Sequence, residues 1–84
     1  MELQAYKEAN IKLGNRFRVL KQKLLAMHAE PLNWPIANDP IFVRVVNTTL
    51  DNEPTPENIE EITSSINRLI LAIDGQIPTM SLAV

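Results

Sequence analysis

YKEANIKLGNRFRVLKQKLLAM, residues Tyr6 to Met27, is the longest run of the chain in which one helical period survives without a proline. Its apolar residues Tyr6, Ala9, Leu13, Phe17, Leu20, Leu24 and Met27 recur at steps of three and four. At about 100° per residue they form a stripe about 80° wide, the narrow seam of a helix that packs along one partner helix. Around it stand Lys7, Lys12, Arg16, Arg18, Lys21, Lys23 and His28, against only Glu2 and Glu8. The first helix is therefore basic. Gly14 lies in its middle, where glycine costs up to about 1 kcal/mol relative to alanine. Either another helix or a flat ligand approaches the backbone there, or the glycine is a tolerated exposed one.

Pro31 disfavours helical geometry at Glu30, which places the first helix over about residues 3–29. Residues 30–40 hold three of the six prolines and the single tryptophan. This connection is too apolar for a free linker, so Leu32, Trp34 and Ile36 are expected to plug the end of the core; stacking of Trp34 on a ligand base is the alternative. Ile41, Phe42, Val43, Val45 and Val46 are residues that strands favour, yet a lone strand would have no partner. Asn38 or Asp39 can cap a helix with Pro40 in its first turn, and Ile41, Phe42, Val45, Val46 and Leu50 then share one face. A short helix over about 39–51 is the expectation.

Thr55-Pro56-Glu57 is a helix start, with a capping hydroxyl, a proline at the first position and an acid near the positive end of the dipole. The last helix, 56–74, puts Ile59, Ile62, Ile66, Leu69, Ile70 and Ile73 on one face, with Gly75 closing it as a left-handed cap. The tail 76–84 carries Ile77, Met80, Leu82 and Val84 with almost no charge. It either docks on a neighbour or stays disordered. The fold expected is all-α: one domain, 1–84, built as an antiparallel hairpin of two long helices with a short middle helix.

A chain of 84 residues has a thin stability margin. With no cysteine and one histidine it has neither a disulfide framework nor a metal site. Oligomerisation is the remaining staple, so at least a dimer is expected. No apolar run approaches the roughly 20 residues that cross a bilayer, and the N-terminus lacks a secretion signal's pattern, so a cytoplasmic protein is expected.

The net charge of -2 hides a split: residues 1–28 carry six Lys/Arg and two Asp/Glu, for +4, and residues 29–84 carry two and eight, for -6. Either basic and acidic helices attract each other within or between copies, or the first helix offers a local site for an anion. Duplex nucleic acid is not expected at a pI near 5.2.

No Walker loop, dinucleotide-binding glycine cluster, nucleophile elbow or metal-ligand spacing occurs, so neither an enzyme nor a cofactor is expected. Glu57, Glu60 and Glu61 read as the solvated face of the last helix. The candidate binding residues are Tyr6, Asn10, Gly14 and Lys21, on one flank of the first helix beside its seam. Tyr6 and Lys21 are 15 residues apart, roughly 22 Å at about 1.5 Å per residue, so one small ligand cannot touch both within a copy. Two first helices packed antiparallel would bring Tyr6 of one copy to Lys21 of the other, making two identical pockets. An aromatic platform and an ammonium suit a nucleotide. The alternative is a seam tyrosine and a solvated lysine.

In these residues, Tyr6-Lys-Glu-Ala-Asn-Ile-Lys-Leu-Gly14 with Lys21 beyond, and in Asn67-Arg-Leu-Ile-Leu-Ala-Ile73, the chain resembles the bacteriophage anti-CBASS sponge proteins of the helical hairpin type. The resemblance covers about half the chain. It implies a small helical oligomer that sequesters cyclic dinucleotides of the host's antiviral signalling in pockets shared between protomers. Tyr6 would stack on the nucleotide and Lys21 would contact it, in the cytoplasm of a host bacterium. The segment with Trp34 and Phe42 has no counterpart in that pattern. Thr55-Pro-Glu-Asn-Ile-Glu-Glu lacks the arginine of members that also bind trinucleotides, which leaves a second, trinucleotide-type pocket open. Two other classes compete: a small phage-type inhibitor or immunity protein that offers its acidic last helix to a basic partner, and a structural helical oligomer.

Overall fold

The computed structural model describes residues 2–30 and 34–75, which form three α-helices with no strand among them. Helix α1 spans Leu3–Ala29, α2 spans Pro40–Asp51 and α3 spans Ile59–Asp74, with a 3-10 helix at Pro35–Asn38 before α2. The predicted ends of α1 and α2 hold to within a residue. Asp39 accepts from the Ile41 N–H at 2.9 Å and Pro40 takes the first position of α2. A missing proline N–H costs nothing there, because the first-turn amides have no partner inside the helix.

The start of α3 is built differently from its sequence signal. Pro56 to Asn58 form a turn, and the α-helical pattern opens at Ile59. The expected cap nevertheless forms one turn earlier. The Thr55 hydroxyl oxygen accepts from the Asn58 N–H at 3.2 Å while Asn58 Oδ1 accepts from the Thr55 N–H at 2.6 Å. Each side chain satisfies the other's backbone donor, which is the logic of a capping box with asparagine in the acid's place. At the far end Gly75 keeps right-handed helical angles and donates its N–H to the Leu71 carbonyl, so the predicted left-handed cap is not the one used.

Helices α1 and α3 pack along one another through their two seams. Leu20, Ile59, Ile66 and Ile73 are fully buried, with Leu13, Met27, Ile62, Leu69 and Ile70 around them. Their direction corrects the expected hairpin. Tyr6 meets Pro54, Arg16 meets Asn67 and Lys23 meets Asp74, so residue numbers rise together and the two long helices run parallel. Helix α2 makes the return: its start lies by Leu24 and Met27, its end by Leu13 and Phe17. The physical reason is its length. Twelve helical residues span about 18 Å, enough to carry the chain back toward the end at which α1 began.

The parallel arrangement also turns the charge split between helices into a split along the bundle. The acids Asp51, Glu53, Glu57, Glu60 and Glu61 lie at the end where α1 begins, and Arg16, Arg18, Lys21, Lys23, Arg44 and Arg68 lie toward the other.

Two face assignments change. Phe17, expected in the seam, is 40% exposed. On α2 the buried residues are Phe42, Val46 and Thr49, whereas Ile41, Val45 and Leu50 are exposed. Both follow from α2 resting mainly on α3, which leaves a cleft between α2 and α1. Trp34, Ile36 and Ala37 pack against the core as the predicted plug does. Leu32 and the tail 76–84 lie outside the described residues.

Candidate functional site

The cleft is floored by Ile62 and Ile66 of α3 and walled by Leu13 and Phe17 of α1 and by Thr49 and Leu50 of α2. Asn10, Gly14, Asn52 and Pro54 complete it, enclosing about 350 Å³. That volume lies at the low end of the range for small-molecule sites, and the lining is apolar with a few amides, as such sites commonly are. Farther along α1 and α2 lies a separate pocket of about 100 Å³, between Leu24, Met27 and His28 on one side and Phe42, Val43 and Asn47 on the other.

Of the four residues predicted to bind, two line the cleft and a third borders it. Asn10 is half-buried, and its Nδ2 donates to the Tyr6 carbonyl one turn back at 3.2 Å, leaving Oδ1 as the atom that can accept. Gly14 is exposed, and a Cβ added there would meet nothing within 4 Å. The backbone is therefore open to a visitor from outside the protomer.

Tyr6 is half-buried, with its ring against the core and its hydroxyl donating to the Pro54 carbonyl at 3.1 Å. It holds the loop that carries Asn52 and Pro54 over the cleft. Its half-buried ring packs against the core at the border of the cleft. Lys21 is exposed and makes no hydrogen bond or ion pair with any described residue. It lies two turns beyond Gly14 on the same flank and lines neither the cleft nor the smaller pocket. One protomer thus gathers Tyr6, Asn10 and Gly14 and leaves Lys21 outside, as the 15-residue separation requires.

Thr49, Leu50, Asn52 and Pro54 were not among the residues expected at the site. No local pattern marks them, because they reach Asn10 and Gly14 only when α2 doubles back. A second groove, between α1 and α3, is polar and lined by Ala9, Lys12, Glu60, Thr63, Ser64 and Asn67. Among the described residues there is no cluster of His, Cys, Asp or Glu that could hold a metal ion, and no helix long and apolar enough to cross a membrane. Comparison with protein families, curated proteins and solved structures gives no match to this chain.

Proposed function

We propose that the protein is a non-enzymatic sponge that takes up a cyclic dinucleotide in pockets completed by a second copy. The observation that carries the reading is the open cleft at Asn10 and Gly14, apolar enough to receive a base, with the ammonium of Lys21, which has no partner among the described residues, on the same flank of α1. A base lying on the bare backbone at Gly14 accepts or donates one hydrogen bond at Asn10. The phosphate requires a cation, and Lys21 of the partner supplies it once two α1 helices run antiparallel. Tyr6 contributes by holding the loop at Pro54. Isothermal titration against a panel of cyclic dinucleotides, with their linear counterparts as controls, tests this. Tight saturable binding of a cyclic member supports the sponge, and the absence of saturable heat with every member removes it.

One observation favours a second reading. Asp51, Glu53, Glu57, Glu60 and Glu61 gather at one end of the bundle, a surface suited to a basic protein partner. In that case the doubly substituted Glu60→Lys, Glu61→Lys protein loses its partner and keeps whatever nucleotide binding it has. Capture from bacterial lysate with both forms separates the two readings.

A further inference from the structure

The polar groove between α1 and α3 is a second concavity, and it shares no residue with the cleft. It encloses about 370 Å³, within the range of small-molecule sites. Lys12 on α1 and Glu60 on α3 bring opposite charges to its two walls, yet neither side chain has an ion pair or hydrogen bond with any described residue. The groove therefore holds an unmatched cation and an unmatched anion side by side.

The hydrogen bonds already made inside it decide what remains to be offered. Thr63 Oγ1 donates its proton to the Ile59 carbonyl at 2.8 Å, so that hydroxyl presents only lone pairs to a visitor. One turn on, Asn67 Oδ1 accepts from Arg16 Nε at 2.7 Å, which leaves both Nδ2 protons to donate. A guanidinium cannot accept, so this fixes which way the amide is turned. The 51-residue offset of the Arg16 and Asn67 pair puts Lys12 level with Thr63, while Glu60 lies in the first turn of α3. Glu60 and Thr63 thus form an accepting end. Lys12 and Asn67, with the charge of Arg16 behind the amide, form a donating one.

We infer that this groove binds a small zwitterion of the α-amino-acid class, its ammonium held by Glu60 and Thr63 and its carboxylate by Lys12 and Asn67. Charge selects the class. A simple anion meets the Glu60 carboxylate and a simple cation meets Lys12 and Arg16, so only a molecule with both signs is matched at each end. Spacing agrees with it: Thr63 and Asn67 are four residues apart on one helix face, with about 5–6 Å between their Cβ atoms. An ammonium and a carboxylate on one carbon span that interval with a hydrogen bond to each. The inference uses none of the cleft residues and stands or falls apart from the sponge.

Titration of the wild-type protein with free L-amino acids, one at a time, followed by amide chemical shifts, tests it. At least one should bind saturably at millimolar concentration or below, moving residues 60–67 and not 49–54. Masking either charge of that amino acid, as its N-acetyl or its carboxamide derivative, should weaken binding about tenfold or more, as the loss of a hydrogen-bonded charge does. Glu60→Gln should abolish the preference over the N-acetyl form and Lys12→Gln the preference over the carboxamide, each leaving the other preference in place. Both side chains are exposed, and circular dichroism confirms that the variants fold. No saturable shift with any amino acid overturns the inference. So does binding that ignores both masking groups, that moves only the cleft, or that survives both substitutions unchanged.

Discussion

Arg16 and Asn67 face each other across the two long helices, the guanidinium Nε donating to the amide Oδ1 at 2.7 Å, and two turns later Lys23 pairs with Asp74 at the same separation of 51 residues. Two pairs with one constant offset fix a parallel register. The second pair does little to hold the helices together. Lys23 and Asp74 are about a third exposed and more, and ion pairs of that kind contribute about 0–1 kcal/mol and weaken with salt. Replacing Lys23 by Met should shift the denaturation midpoint by no more than that amount, with the difference shrinking in 1 M salt. A larger, salt-independent loss in urea titration would mean that the pair does more than orient.

The seam carries the stability. Leu20 is fully buried against α3, so Leu20→Ala should cost about 2–5 kcal/mol, close to the whole margin of a domain this small. Phe17→Ala, at an exposed lip, should cost the protomer less than half as much. Thermal unfolding at low protein concentration, where self-association does not contribute, measures both.

Thr55→Ala removes one half of the reciprocal cap with Asn58 and should destabilise by about 0.5–2 kcal/mol, whereas Thr55→Ser should retain most of the effect. Equal losses for alanine and serine in urea titration would show that the hydroxyl is not the group that matters.

How far the sequence could be read follows from these same residues. The α3 seam, the α1 seam apart from Phe17, the Asp39 cap and the Trp34 and Ile36 part of the plug are local or periodic and lie where their patterns put them, whereas Thr55 caps a turn that precedes α3 and not the helix itself. Direction is neither local nor periodic. A seam shows that Leu20 has a partner and is silent on whether that partner runs up or down, and here a 12-residue α2 reverses the chain. The same blind spot rotated α2: Thr49 lies inward and Leu50 faces the cleft because α2 leans on α3 rather than lying between both long helices. At the candidate site Asn10 and Gly14 were legible from their flank, and Asn52 and Pro54 were not.

Lys21→Ala separates binding from folding. The side chain is exposed and has no partner among the described residues, so stability should change by no more than about 0.5 kcal/mol. Under the sponge reading, nucleotide affinity should fall by about 1.5–3 kcal/mol, the range for hydrogen bonds to charged groups. Calorimetry showing unchanged affinity for a ligand that the wild type binds would remove Lys21 from the site.

Tyr6→Phe keeps the ring and deletes only the hydroxyl that reaches Pro54. The expected loss of stability is about 0.5–1.5 kcal/mol, with faster amide exchange across residues 52–58 as that loop is released. Exchange unchanged in the loop would mean that Tyr6 does not hold it.

The parallel register also dictates the order in which the molecule can assemble. Every contact between α1 and α3 waits for about fifty intervening residues, so the apolar stripe of α1 leaves the ribosome well before its partner is made. Closing so long a loop is only modestly more costly than closing a short one, since each doubling adds about 0.6 kcal/mol. It is slower, however, than the local pairing that an antiparallel neighbour would allow. During that interval the six lysines and arginines of residues 1–28 act as gatekeepers: like charge opposes the association of nascent first helices until α3 arrives to cover their apolar seam.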